Sequence, residues 1–500
     1  MSAGSWLKTR MKQRLKDIFK GPVVFYPLLF AAFPILFLYA YNIIETPASQ
    51  LWLPLGVSVA AALVLWAVLS LILRSLSKAG LATAIFLVFF FSYGRLYEVL
   101  ENSRLFTPKH GYLLPVTLFI WGYCVYFIGR AKRDFRITTR MLNVVAVALI
   151  AINLFNIVSY QVKLARLTAD APVESTDQTA VSPAELSALP DIYHIILDEY
   201  SRPDTMKEWY DYDISWFTNS LAERSFFVAN RSETHSGNSE QAISSILNME
   251  YVTAGWTVDE ADAIYRKIAY NKVAEFLQTQ GYRFIYFGNG HDLGRWDTYM
   301  KDSADLYFNY YETAGTPWVS EFQHILWNTT MLRPFYYHLA GGQYEHIYRR
   351  QTLYTLENLK ALPQVEGRKF VAAHLFNPHA PFVFSADGGH VAPANWYNYE
   401  DKRFYLGQYI FISREIERLV DVLLERSATP PIIILHSDHG MRPHHHGIVI
   451  GAQECRKILN AMYLPGMDYS ELSDSMSPVN TFRLIFNHYF GADYPLLEDD

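Results

Sequence analysis

Five long apolar stretches crowd the first third of this chain, near residues 23–43, 51–73, 80–97, 112–129 and 141–160. A helix needs roughly 20 apolar residues to cross a bilayer core, and no charge interrupts the centre of any of the five. Core helices of a water-soluble protein carry polar faces between their apolar stripes; these stretches have almost none. Lipid offers no hydrogen-bond partner to an open backbone, so each stretch is constrained to be a helix. The third is the least regular, because Arg95 and Glu98 crowd its end.

The short loops set the orientation, since positive charge stays on the cytoplasmic side. Lys8, Arg10, Lys12, Arg14, Lys16 and Lys20 precede the first stretch. Arg74 and Lys78 follow the second, and Arg130, Lys132, Arg133, Arg136 and Arg140 follow the fourth. The other two loops are poorer in positive charge and hold Glu45, Glu98 and Glu101. The expectation is a cytoplasmic N-terminus and, after an odd number of spans, an outward-facing remainder from about residue 160. The first span lacks a small-residue cleavage site, so it reads as an uncleaved anchor.

Five hundred residues exceed one simple domain. The net charge of -6 and isoelectric point near 6.2 argue against a nucleic-acid binder, and no basic patch interleaved with aromatics occurs. The two cysteines, Cys124 and Cys455, are too few and too far apart for a disulfide framework.

The division expected is a membrane domain over 1–163, a polar linker over 164–190 and an outer domain over 191–500. In the last, apolar runs alternate with helical patterns, which argues for a doubly wound α/β sheet. Ile192–Leu197 runs into Asp198-Glu199, Phe284–Phe287 into Gly288-Asn289-Gly290, Phe370–Ala373 into His374, and Ile432–Leu435 into Asp438-His439-Gly440. Helices are expected over 239–249, 271–280 and 403–425. The aromatic-rich segment 303–337 reads either as an interfacial belt or as core packing.

Ligands cluster outside the carboxyl ends of strands in such sheets. Asp198, His374, Asp438 and His439 are expected along one such edge. Hard oxygen beside borderline nitrogen suits a divalent metal, zinc or manganese. Asp198 alone also reads as a helix cap or a structural ion pair.

These residues carry a resemblance. The outer domain resembles the alkaline phosphatase and sulfatase superfamily, most of all its membrane-anchored branch of phosphoethanolamine and phosphoglycerol transferases. The run Leu189-Pro-Asp-Ile-Tyr-His-Ile-Ile-Leu-Asp198 is similar to the opening strand with its first metal carboxylate, and Ser437-Asp-His-Gly440 to the second metal motif. His374-Leu-Phe-Asn-Pro-His379 matches a segment with two histidines five apart, and Val479-Asn-Thr-Phe-Arg483 a further signature. The resemblance implies an α-helical anchor of five spans plus an α/β sulfatase-like domain with a mostly parallel central sheet. It implies a bacterial inner-membrane protein whose catalytic domain faces the periplasm or exterior.

The resemblance also implies roles. The family's nucleophile starts a helix, where free N–H donors favour phosphate, and Ser239-Glu-Gln-Ala-Ile-Ser-Ser-Ile-Leu-Asn248 has that form. Ser239 aligns with the nucleophile, where many members carry threonine; Thr234 and Ser236 are close rivals, and a serine there also reads as an ordinary N-cap. His379 and His446 match substrate-binding histidines, and His374 a phosphate or second-metal position. His444 and His445 also read as an incidental surface tract, and Arg442 as an anion contact or a plain ion pair. A sulfatase needs a C/S-x-P-x-R motif, and none occurs.

The function implied is metal-dependent transfer of a phosphorylated head group from a lipid donor to an envelope glycan or lipid through a covalent Ser/Thr intermediate. A phosphate or sulfate ester hydrolase is the alternative on the same scaffold. A silent lipid-binding sensor is the third reading, and intact Asp198, Asp438 and His439 weigh against it.

Overall fold

The computed structural model describes residues 23–43, 46, 48–102, 108–133, 135–169, 189–253, 257–288, 295–310, 321–335, 341–392, 395–442, 451, 453–470 and 472–498. The chain forms two compact units: Met1–Ala171 with Pro317–Gly342, and Pro172–Thr316 with Gln343–Asp500. Residues 170–188, most of the expected linker, and His444, His445 and His446 lie outside the described residues.

The first unit holds helices α1 (Tyr26–Tyr41), α2 (Ser49–Leu73), α3 (Leu76–Asn102), α4 (His110–Arg130) and α5 (Arg136–Ala169). Four of them, α2 to α5, are long and apolar enough to cross a membrane, whereas α1 is a shorter apolar helix of 16 residues. Among the described residues, four of the five expected spans therefore have full spanning length, and the first is shorter. Large apolar side chains point outward, among them Leu71 at 80% exposure and Phe119 and Ile137 at 74% each. That arrangement suits a hydrocarbon surround. Polar side chains tie the helices internally. Lys78 Nζ donates to the carbonyls of Gly129 (2.9 Å) and Ala131 (2.7 Å) at the end of α4, where a cation complements the helix dipole. Asn143 on α5 accepts the Tyr26 N–H at 3.1 Å and donates to the Val23 carbonyl at 2.7 Å.

Within the range 191–500 read as outer domain, Pro317–Gly342 groups instead with the spans. Its helix Glu321–Thr329 is followed by Met331, whose N–H donates to the Phe90 carbonyl at 3.0 Å. The aromatic segment 303–337 is therefore divided: residues 303–310, with the strand Leu306–Phe308, belong to the sheet unit, and residues 321–335 to the membrane unit.

The second unit is built on seven strands: β1 (Ile192–Leu197), β2 (Phe227–Val228), β3 (Arg283–Phe287), β4 (Leu306–Phe308), β5 (Lys369–Leu375), β6 (Ile432–Ser437) and β7 (Asn460–Tyr463). Their order is β2-β7-β6-β1-β5-β3-β4. The central pairs are parallel, and β7 runs antiparallel to both β6 and β2. The central strands β1, β5 and β6 are buried along their whole length, as apolar runs in a parallel sheet covered on both faces should be. Helices Ser239–Asn248, Lys272–Thr279 and Lys402–Arg426 lie within one residue of the expected bounds. Tyr409, Ile412, Ile416 and Leu419 of the last helix pack into the core with Val371, Leu435 and Ile195.

Candidate active site

Register brings the acids together. Leu197 on β1 pairs with Ser437 on the adjacent parallel strand β6, so Asp198 and Asp438 occupy equivalent places one residue beyond neighbouring strand ends. Ile196 lies between His374 on β5 and His436 on β6, which fixes His374 near the same edge. Ser437 locks the two strand ends: its hydroxyl donates to the Leu197 carbonyl and accepts the Tyr200 N–H, each at 2.8 Å.

Asp198, Asp438 and His439 are buried, and one ligand atom from each lies within 4.8 Å of the others. His439 Nε2 is 3.5 Å from Asp198 Oδ1 and 3.9 Å from Asp438 Oδ2. His439 Nδ1–H donates to the Gly440 carbonyl at 2.8 Å. That fixes the tautomer and leaves a lone pair on Nε2, toward which Arg442 Nη2 donates at 3.1 Å. His374 Nε2 is 3.5 Å from Asp198 Oδ2 and 3.7 Å from Asp438 Oδ2.

Buried carboxylates at this spacing oppose one another. Burial, then Asp438 and Glu199, push the Asp198 carboxyl well above its usual range. Burial also pushes Asp438 up, but His439 and hydrogen bonds from His374 and Ser239 more than offset it, so Asp438 is held low. Asp198 Oδ1 and Asp438 Oδ2 are buried and make no hydrogen bond. A pair of close carboxylates is costly to bury without a cation. Two acid oxygens and a neutral imidazole fit a divalent metal, and this donor set does not separate zinc from manganese.

Ser239 sits at this cluster. Asn238 is the N-cap of the helix Ser239–Asn248, with extended backbone and no side-chain cap, so Ser239 is the first helical residue rather than the cap. Its side chain lies beside the Asp438 carboxylate and helps to hold that acid low. The rivals are engaged elsewhere. Thr234 is tied by its backbone to Arg456, N–H to carbonyl at 2.8 Å and carbonyl from Arg456 Nε at 2.9 Å. The Ser236 hydroxyl donates to Gln241 Oε1 at 3.0 Å.

His379 is half-buried near the cluster; its N–H donates to the Asp198 carbonyl at 3.3 Å, and Nδ1–H donates to the Ala380 carbonyl at 2.6 Å. Burial lowers its imidazole to about 4, so it is neutral at pH 7.

Three features escaped the sequence reading. Glu199 is fully buried with φ at 60°, the left-handed region that a side chain seldom occupies. Its N–H donates to Asp438 Oδ1 at 3.1 Å and its Oε1 accepts the Arg442 N–H at 3.2 Å, so it braces both loops. Trp296 stacks on His374 with ring centroids 5.7 Å apart. Gly440 is required for close approach: a Cβ there would lie 2.4 Å from the Lys457 carbonyl oxygen. The Val479–Arg483 signature acts at a distance, because Arg483 Nε donates to the Met249 carbonyl at 2.9 Å, just past the helix that starts with Ser239.

No protein-family profile and no curated protein matches the chain. Solved structures do. The C-terminal periplasmic domain of EcEptC from Escherichia coli, in complex with Zn, is similar at 12% identity and TM-score 0.42, over 63% of this chain and 88% of that one. The integral membrane lipooligosaccharide phosphoethanolamine transferase A (EptA) of Neisseria meningitidis is similar at 13% identity and TM-score 0.40, over 92% of this chain and 94% of that one. The lipoteichoic acid synthase LtaP of Listeria monocytogenes is similar at 12% identity and TM-score 0.39, over 62% and 75%.

Proposed function

We propose that this chain is a membrane-embedded phosphotransferase, moving a phosphorylated head group of phosphoethanolamine or phosphoglycerol type from a lipid donor to an envelope glycan or lipid. One observation carries the reading: Ser239 begins a helix beside Asp438, which shares a buried cluster with Asp198 and His439. A hydroxyl at a helix start meets free N–H donors and the positive end of the dipole, which suit a phosphoryl group.

Asp198, Asp438 and His439 would hold a divalent ion. Such an ion supplies Lewis-acid chemistry, lowering the pKa of a bound hydroxyl and offsetting phosphoryl charge. Asp438 stands beside the Ser239 side chain and would help to orient its hydroxyl. In the first step the Ser239 Oγ–P bond forms and the phosphoester bond to the diacylglycerol oxygen breaks. The proton lost by Ser239 is balanced by the one gained on that oxygen. In the second step an acceptor hydroxyl displaces Ser239, which regains a proton. His374 and His379 stand where developing phosphoryl charge can be met, His379 through Nε2 once protonated. His446 is assigned a similar role by resemblance only.

The proposed placement is the bacterial cytoplasmic membrane, with the N-terminus inside, five crossings counting α1, and the sheet domain outside.

The test is to incubate detergent-purified full-length protein with a divalent metal and phosphatidylethanolamine or phosphatidylglycerol, then map adducts by peptide mass spectrometry. A head-group phosphate on Ser239 with released diacylglycerol supports the reading. An adduct on Thr234 keeps the chemistry and reassigns the nucleophile. Metal-loaded protein giving neither adduct nor diacylglycerol, yet cleaving a soluble phosphate ester, makes it a hydrolase.

A further inference from the structure

We propose that the membrane unit holds one acyl chain of a bilayer phospholipid in a built cavity beneath the helix Glu321–Thr329. The cavity has a volume of about 380 Å³ and is bordered by α1, α2, α3 and this helix, through residues such as Ile35, Val57, Ala61, Phe90, Leu326 and Trp327. It lies wholly in one compact unit. The inference rests on the reading of these helices as membrane-embedded, and not on the proposed chemistry.

The lining decides the ligand class. No charged side chain borders the cavity among the described residues. Two of its hydroxyls are already spent on backbone: Ser58 donates to the Ala31 carbonyl at 2.8 Å, and Thr330 to the Trp327 carbonyl at 2.9 Å. Apart from the Gln323 amide, the lining offers a phosphate, sugar or ion little to bind. The space is a groove open to the surroundings of the spans, with Val57 of its lining 52% exposed. Water gains little against an apolar lining, and in a bilayer the matching occupant is a hydrocarbon chain.

The roof is firmly seated, so the space beneath it is not a docking failure. Gly94 on α3 meets the returning segment backbone to backbone: a Cβ there would lie 1.9 Å from the Asn328 carbonyl oxygen and 2.7 Å from the Thr329 Cα. Beyond the helix, Met331 N–H donates to the Phe90 carbonyl at 3.0 Å, and Arg333 Nη1 pairs with Glu98 Oε1 at 3.1 Å. At the near end Phe322 meets Tyr39 edge-on. Among the described residues, helix and bundle are fixed around this groove.

The space sits near the middle of the spans: Pro54–Leu65 straddles the midpoint of α2, and Phe86–Phe91 that of the opposite-running α3.

The test uses the full-length protein in nanodiscs containing phosphatidylethanolamine with a diazirine at mid-chain, followed by irradiation and peptide mapping. Crosslinks are expected to concentrate on 54–65 and 322–332. Ala61→Phe, which fills the cavity, should cut them at least five-fold. Leu63→Phe, on an outward position at 49% exposure, should leave them unchanged. Val57→Trp serves as a second filler if Ala61→Phe is poorly produced. Crosslinks spread evenly over all lipid-facing helices, or unmoved by either filler, overturn the proposal. Labelling by a diazirine fatty acid but not by the phospholipid overturns the phospholipid assignment. Ser239→Ala should crosslink like the parent chain, so this outcome is independent of the head-group adduct.

Discussion

The outer unit hides charge, and the membrane unit displays hydrocarbon. In the sheet domain Asp438 and His439 are wholly buried and Asp198 is 4% exposed, while Leu71 and Phe119 stand 80% and 74% exposed on the spans. Each inversion marks a place where water is not the reference solvent. Around the spans the medium is lipid, so exposing a leucine costs nothing. At the sheet edge two close acids are kept from water in an arrangement that suits a cation. The groove under Glu321–Thr329 combines the two lessons: a recess whose apolar lining suits lipid rather than an ion.

The sharpest way to break this comparison is to remove the groups that give the buried charge a purpose. Ser239→Ala should abolish the covalent adduct and lower transfer by roughly 10⁴-fold or more, with bound metal retained. Transfer at near-parental rate would sink Ser239 as the nucleophile. Asp198→Asn should lower transfer by about 10³-fold and eliminate tightly bound metal, measured by elemental analysis. Removing one of two opposed carboxylates should also raise the thermal midpoint of metal-free protein. A lower midpoint would mean that Asp198 is a structural partner instead.

A smaller effect comes from buried imidazoles. His436 is fully buried, and burial above all lowers it to about 4. In the unfolded chain it titrates near 6.5. Between those values the unfolded state binds more protons, so stability is fully present above pH 6.5 and falls as pH drops toward 4. The slope for this one group is about 1.4 kcal/mol per pH unit. Asp198, raised by its surroundings, acts in the opposite sense, so the difference between parent and His436→Gln isolates the histidine. Denaturant titrations at pH 7, 6 and 5 should show the gap between the two chains narrowing as pH falls. A constant gap would mean that His436 is not neutral in the folded state.

The strands and their ligands were legible because a parallel sheet buried on both faces writes itself as apolar runs, and ligands follow where the runs stop. Asp198, His374 and Asp438 fall together for that reason, whereas Ser239, at a helix start, was pointed to by the resemblance. His194 and His436 were not legible: both sit inside those runs, and only the pairing of β1 with β6 brings their rings into contact. Glu199 needed a backbone angle that no side-chain pattern announces. The return of Pro317–Gly342 to the membrane unit was hidden because Phe322, Leu326 and Met331 have the spacing of any amphipathic helix. The pattern says that a face is buried, but not against what. Its address is written on the other side, at Gly94.

The smallest predicted effect tests how the nucleophile helix is held. Met249 closes that helix in the left-handed conformation, with φ at 56°, and Arg483 Nε and Nη2 both reach its carbonyl, at 2.9 and 2.5 Å. Arg483 Nη1 also donates to the Pro495 carbonyl at 2.6 Å. A guanidinium at a helix C-terminus satisfies carbonyls that the helix leaves open and complements its dipole. Arg483→Ala should therefore cost about 1–3 kcal/mol of stability, read by denaturant titration, and lower transfer only a few-fold. Arg483→Lys should recover part of the loss, since the charge survives without the fork. If Arg483→Ala instead matched Ser239→Ala in activity at undiminished stability, Arg483 would belong to the reacting site itself. The contrast between buried charge that reacts and buried charge that braces would then have to be redrawn.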